Sequence, residues 1–301
     1  MSSIFINPFT DFGFKKLFGE EVNKDLLIDF LNELIPVEKH TIVDLTYLRN
    51  EHLSNHEDDR RAVYDLYCEN EKGEKFIVEI QRAKQKFFRD RSIYYSTFPI
   101  QEQAKTGNKW DFELKAVYTV AIMDFTFEDG RKRQKEEEEE FSFLHTIQLM
   151  DIERKSVFYD KLTFIYLEVP KFDKQESELV THFDKWMYIL KNLYRFKKRP
   201  KALQERIFQR LFDAAELARF SKKDRMAYEE NLKIYRDFLK IYRDFMNVVN
   251  TAVEEAVEKT KKESKVEVAA KALEKGFTVE DVSDITGLSL KTIEKIKQKM
   301  E

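Results

Sequence analysis

Asp65, Glu79 and Gln81 are the side chains of this chain best placed to do chemistry, and all three fall in one short stretch, AVYDLYCENEKGEKFIVEIQRA (62–83). The glycine at 73 centres a hairpin there. A three-residue loop, Glu71-Lys72-Gly73, with Gly73 in the left-handed conformation, pairs Asn70 with Glu74. Counting back along both strands then sets Asp65 opposite Glu79. The same register pairs Tyr64 with Ile80, Leu66 with Val78 and Cys68 with Phe76, an apolar face, while Asp65, Glu79 and Gln81 share the other. A slip of one residue would drive the acids into the apolar face, which supports the register. Two like charges about 5 Å apart repel. Unless water reaches them they need a shared proton or a cation. Mg²⁺ suits such a site, because it favours carboxylate oxygens and keeps several waters. It could activate a bound water and polarise a phosphodiester together. Gln81 would lie beside that water, able to orient it but not to act as a base. From spacing alone, a half-exposed hairpin carrying ordinary surface acids fits equally well.

The elements that would position these residues read as a mixed α/β core. Residues 7–35 carry apolar side chains at helical spacing (Phe14, Leu17, Phe18, then Leu26, Leu27, Phe30, Leu31, Leu34), and Pro36 ends the run. Strands are expected at 41–48, 62–69, 75–81, 115–127, 141–150 and 160–170, with one helix over 88–105 that contains Pro99. The charge run RKRQKEEEEEF (131–141) reads as a solvated hairpin tip. From about 176 onward the pattern is helical. Lys191–Arg225 holds 12 Lys/Arg against 4 Asp/Glu, the most basic part of the chain. KIYRDFL (233–239) is repeated at once as KIYRDFM (240–246), giving a long helix with a wide apolar stripe. That stripe either packs on the helical region or joins two copies of the chain through 231–262.

Composition bounds the function. Among 301 residues there are 26 Phe and 13 Tyr but only 7 Gly and 5 Pro, which favours long regular elements over loops. A net charge of -3 means that any basic surface must be local. The single Cys68 excludes an internal disulfide and a cysteine-rich metal site. The five histidines show no metal spacing, and there is no glycine-rich phosphate loop. No leader pattern and no membrane-length apolar run is read, so a soluble, cytoplasmic protein without a membrane partner is expected.

The stretch YDLYCENEKGEKFIVEIQ resembles the D…ExQ version of the PD-(D/E)XK nuclease signature. Its surroundings resemble the bacterial recombination-promoting nuclease and transposase family of that superfamily. NPFTDFGFKKLFG (7–19), DRSIYYSTFPIQEQAKTG (90–107), AVYTVAIMDF (116–125) and FIYLEVPKF (164–172) carry the likeness through nearly the whole chain in order. The resemblance implies a restriction-endonuclease-like mixed β-sheet core flanked by helices, followed by an all-helical C-terminal region. It implies Asp65, Glu79 and the carbonyl of Ile80 as ligands of Mg²⁺ (or Mn²⁺ or Ca²⁺), with Gln81 where the wider superfamily has lysine. Glutamine carries no charge to stabilise a developing hydroxide. Asp11 matches the N-terminal motif and could supply a third carboxylate; an acid favoured by the helix macrodipole after Thr10 is the equal alternative. Lys15 and Lys16 could touch DNA phosphates. Gln103 could reach DNA or the metal water, or serve only in a structural hydrogen bond.

Three parts are expected: a nuclease-like core over 1–175, a helical region over 176–262 and a helix-turn-helix-like segment over 263–301. In the last, Thr278 with Asp281 resembles an N-terminal cap box, Val282, Ile285 and Leu288 face inward, Gly287 turns the chain, and Ser289 caps a helix with Ile293 and Ile296 inward. Residues 265–301 hold seven Lys and seven acids and no Arg, which favours a packing, dimerisation or regulatory role over DNA contact by the last helix. Two functions follow. One is a metal-dependent DNA endonuclease of low sequence specificity, serving recombination, mobile-element movement or defence against foreign DNA. The other is a nuclease-fold factor that binds DNA or protein without useful turnover. Met226 and Met246 could start a separate C-terminal fragment that inhibits the full chain.

Overall fold

The computed structural model describes residues 3–35, 41–52, 62–104, 112–127 and 143–300. The charge run at 131–141 lies outside them. The chain separates into two compact units, Met1–Tyr235 and Arg236–Glu301.

In the first unit the apolar run at 7–35 forms two helices, α1 (Asp11–Phe18) and α2 (Lys24–Asn32), split by a single turn at Glu21–Asn23. Asn23 donates its side-chain amide to Lys16 O (2.8 Å), which satisfies a carbonyl left free at the end of α1. The strands are β1 (Leu45–Tyr47), β2 (Glu51–His52), β3 (Ala62–Val63), β4 (Leu66–Asn70) and β5 (Lys75–Gln81). Helix α3 (Phe88–Gln101) follows, then β6 (Val117–Met123), β7 (Leu144–Asp151) and β8 (Ser156–Glu168). Six of them make one mixed sheet in the order β1-β4-β5-β6-β8-β7; β2 and β3 pair separately. β5, β6 and β8 run parallel at its centre, and the others are antiparallel. α3 is the crossover between β5 and β6. Every residue of β6 is buried, as expected of a strand covered on both faces.

Helices α4 (His182–Asn192) and α5 (Arg206–Ala215) belong to the same unit. Trp186 of α4, fully buried, meets Phe18 (5.9 Å between ring centroids), Phe30 (5.4 Å) and Phe208 (5.4 Å) and so ties α1, α2 and α5 together. Helix α6 (Lys222–Glu274) runs from the first unit into the second. Its start is held by Tyr228, whose hydroxyl accepts from Asn7 N (2.9 Å), and by Asn231, whose Oδ1 accepts from Phe12 N (3.3 Å).

The second unit comprises the rest of α6, α7 (Val279–Thr286) and α8 (Leu290–Gln298), packed around Ala269, Val282 and Ile293. Thr278 and Asp281 form the reciprocal cap, Gly287 takes φ 64° at the turn, and the Ser289 side chain caps α8. The helix that precedes this pair is the end of α6. Ile285, expected inward, is 59% exposed, and Thr286 is buried in its stead with its hydroxyl on Val282 O (2.6 Å).

Candidate active site

The β4–β5 hairpin has the expected register. Leu66 pairs with Val78 and Cys68 with Phe76, Gly73 takes φ 79°, and Asn70 N bonds Glu74 O at 3.0 Å. The ladder stops at Leu66, and the chain bends at Asp65. Tyr64 N turns to Asn50 O (2.9 Å), and Asn50 donates its side-chain amide to Asp65 O (2.9 Å). The bend moves Tyr64 off the face of Leu66 and Val78; it clusters with Tyr67 and Ile77. In place of a ladder bond, Asp65 Oδ2 accepts from Ile80 N at 2.7 Å. Asp65 therefore lies against the strand that bears Glu79, fixed by a backbone donor.

Glu79 pairs across the sheet with Ala121 of β6, which pairs with Tyr166 of β8. The three share the face that Phe88 of α3 covers through Ala121, Met123 and Tyr166. The face that carries Glu79 is thus buried, and Glu79 is no ordinary surface group: it is 7% exposed, while Asp65 is half-buried. Burial pushes its carboxyl up to about 7; Asp65 adds to the shift and Arg91 opposes it. Burial also pushes the Asp65 carboxyl up, against the pull of the Ile80 N–H. In the folded protein the two acids want a positive charge.

Part of that charge comes from a residue that the sequence reading missed. Arg91 of α3 sets Nη2 3.6 Å from Glu79 Oε2 and donates to Gln81 Oε1 (2.6 Å), while Nη1 donates to Gln85 Oε1 (2.5 Å). Its guanidinium lies over the rings of Phe88 (5.4 Å) and Tyr95 (5.7 Å). Its Nε is buried without a hydrogen-bond partner. The signal was available. Arg91 shares a helix face with Phe88 and Tyr95, three before and four after, so a lone cation sits on the stripe that must meet the sheet. The Gln81 amide is used at both ends, since Nε2 donates to Ala83 O (3.0 Å).

The remaining expected residues divide. Asp11 and Lys15 form an ion pair on α1 (2.9 Å), and both charges act on the Asp65 carboxyl, Asp11 raising its pKa and Lys15 lowering it, as Arg82 also does. The loop before α1 sets this placement. Thr10 Oγ1 caps Gly13 N (3.0 Å) and donates to Asn7 O (2.8 Å). A Cβ on Gly13 would stand 2.2 Å from Asn7 O, so only glycine lets the motif close. Lys16 pairs with Glu20 (2.8 Å) and lies over the Phe220 ring. Gln103 donates to Pro99 O (3.1 Å) and accepts from Lys115 N (2.7 Å), joining the end of α3 to the chain entering β6.

Among the described residues, no three or more His, Cys, Asp or Glu side chains gather closely enough to hold a metal ion. The site offers two desolvated carboxylates, Glu79 and Asp65, the second bonded to the Ile80 N–H of the Glu79 strand. That set fits a hard cation that fills its other positions with water.

A mixed sheet flanked by helices, carrying an acid at a strand bend and an acid and an amide two residues apart on the next strand, is the core of a PD-(D/E)XK nuclease. The sequence model of the PD-(D/E)XK nuclease family transposases matches residues 8–244, and the chain belongs to that family. No curated protein and no solved structure matches it. Among the described residues no helix is long and apolar enough to cross a membrane.

Proposed function

We propose that this protein is a metal-dependent DNA endonuclease, hydrolysing phosphodiester bonds with low sequence specificity. One observation carries the reading: at the family motif Glu79 is buried and Asp65 half-buried, Asp65 is fixed on the Ile80 N–H of the Glu79 strand (2.7 Å), and both carboxyls are pushed up in pKa, a cost that a bound cation removes. Asp65, Glu79 and the Ile80 carbonyl would hold Mg²⁺, Mn²⁺ or Ca²⁺. Such an ion supplies an activated water and a polarised phosphate. Asp65 is oriented for this by the Ile80 N–H. Arg91 takes up the positive role that lysine has elsewhere in the superfamily, opposing the rise that burial imposes on the Glu79 carboxyl and offering N–H groups to phosphate oxygens. Gln81 acts through Arg91, fixing its guanidinium, and is a positioning residue. Asp11 tunes Asp65 by its charge, and Lys15 adds a cation on the same side. The breaks would serve recombination, mobile-element movement or defence, with DNA met in the cytoplasm. Two copies, joined through the α6 stripe, would let one assembly cut both strands.

A second reading has one observation in its favour. With the Gln81 amide engaged at both ends, the fold could be kept as a scaffold that binds DNA or protein without turnover. Supercoiled plasmid incubated with each metal separates the two. Cutting that needs metal, disappears in Asp65→Ala and Glu79→Ala, and falls about 100-fold or more in Arg91→Ala supports the enzyme. No cutting by folded protein with any metal supports the scaffold.

A further inference from the structure

Beside the Arg91 guanidinium lies an open cavity of about 440 Å³, lined by Gln85, Lys86, Phe87, Asp90, Tyr94 and Tyr95 as well. Two of its walls are aromatic rings turned to solvent. Phe87, which precedes α3, is 65% exposed and Tyr94 44% exposed, whereas Phe88 between them is buried against the sheet. Tyr94 is held edge-on by Phe98 (5.2 Å), and the Lys86 ammonium stands 5.3 Å from the centre of the Phe87 ring. Adjoining aromatic surface on the wall of a cavity is a common mark of a binding site.

The surrounding charge says what binds there. Residues 82–91 carry Arg82, Lys84, Lys86, Arg89 and Arg91 against the single acid Asp90, in a chain whose net charge is -3. The loop is therefore locally basic. The cavity is also continuous with the motif, because Arg91 both lines it and pairs with Glu79. An aromatic surface among cations is the chemistry that holds nucleobases by stacking while the backbone phosphates meet Lys and Arg. Phe87, at the N-terminal cap of α3, and Tyr94, on its second turn, both wall this one cavity.

The geometry points to a subsite for an unpaired nucleotide next to the bond that is cut, its base stacked at Phe87 and Tyr94 and its phosphate at Lys86 and Arg91. A base within duplex has both faces covered by its neighbours and cannot enter unless it is extruded. DNA with single-stranded tails, gaps or branches is then the preferred substrate class. The inference rests on the nuclease reading for its ligand, and its test is made on binding so that the two can fail separately.

The full-length protein is titrated, with chelator present so that nothing is cut, against one DNA sequence as blunt duplex and as duplex with a single-stranded tail. A fluorescent adenine analogue is placed in the tail. The expected result is binding of the tailed form at least about 10-fold tighter, with the analogue quenched by stacking. Phe87→Ala and Tyr94→Ala each lose about 5- to 100-fold on the tailed form and little on the blunt one. Phe87→Trp, which keeps a ring, retains the preference. Equal affinity for the two forms, an unquenched analogue, or the same loss on both forms in the alanine variants overturns the inference. None of these readings depends on whether the protein cuts DNA.

Discussion

Glu79 is the residue at which stability and function pull apart. In an unfolded chain its carboxyl ionises near the ordinary value, whereas burial in the fold raises it to about 7. The folded protein therefore binds the extra proton between those values. Stability is greatest below the unfolded value, falls as pH rises toward 7, and levels off above it. The difference amounts to about 3 kcal/mol. Glu79→Gln should consequently be more stable than the parent at about pH 8 without metal, by up to about 3 kcal/mol in chemical unfolding. Mg²⁺ should raise the melting temperature of the parent, more at high pH than at low, and leave the variant unmoved. A variant less stable than the parent at that pH, or one that responds equally to Mg²⁺, would falsify this account of the buried acid.

Helix α1 depends on a closed loop, Asn7-Pro8-Phe9-Thr10, that only glycine at 13 permits. Gly13→Ala forces that loop open. The expected loss is about 1–3 kcal/mol in thermal or chemical unfolding, a penalty typical of overpacking. It should also lower nuclease activity, because Asp11 and Lys15 ride on the same helix. Unchanged stability would show that the loop adapts at no cost. A second device joins helices. His182 at the start of α4 sets Nε2 2.7 Å from Asp29 of α2 and Nδ1 2.9 Å from Glu205 before α5, and Trp186 shares Asp29 (2.7 Å). The hydrogen bond to Asp29 raises the His182 pKa. The stability it contributes is complete below the unfolded histidine value and is lost as pH rises through the folded one. Unfolding of the parent and His182→Asn across this range should show curves that converge at high pH; parallel curves would remove the imidazolium from the account. The helical repeat is unequal in use. Tyr235 in its first copy is buried, its hydroxyl on Asp124 (3.0 Å) and its ring under Arg82, whereas Tyr242 in the second copy lies in the other unit.

At the scale of the whole molecule, the stripe beyond Tyr235 bears on assembly. Ile241 is 68%, Phe245 62% and Val248 69% exposed, and they follow the alternating four- and three-residue steps of a helix seam. A dimer through α6 should appear as twice the monomer mass in light scattering. Ile241→Glu with Phe245→Glu should return it to monomer and change plasmid products from linear to nicked. Light scattering that finds only monomer at every concentration would separate double-strand cutting from this helix.

Local sequence determined much of this protein. The turn at Gly73, the register of Leu66 with Val78, the caps at Thr278 and Ser289 and the order along the chain of the six strands of the main sheet follow from spacing and turn chemistry, which act over a few residues. That Asp65, Glu79 and Gln81 fall in one short hairpin stretch was legible for the same reason. Tertiary structure alone decided what surrounds them. The bend at Asp65 replaces the expected opposition of side chains with a bond from Ile80 N, and it arises because β3 pairs with β2 instead of continuing β4. The burial of Glu79 arises because α3 crosses the face that alternation alone would leave half exposed. Arg91 reaches the site only through that crossing. Register and capping are fixed by neighbours in the chain, whereas the dielectric and the counter-charge at a carboxylate are set by whatever the fold packs against it.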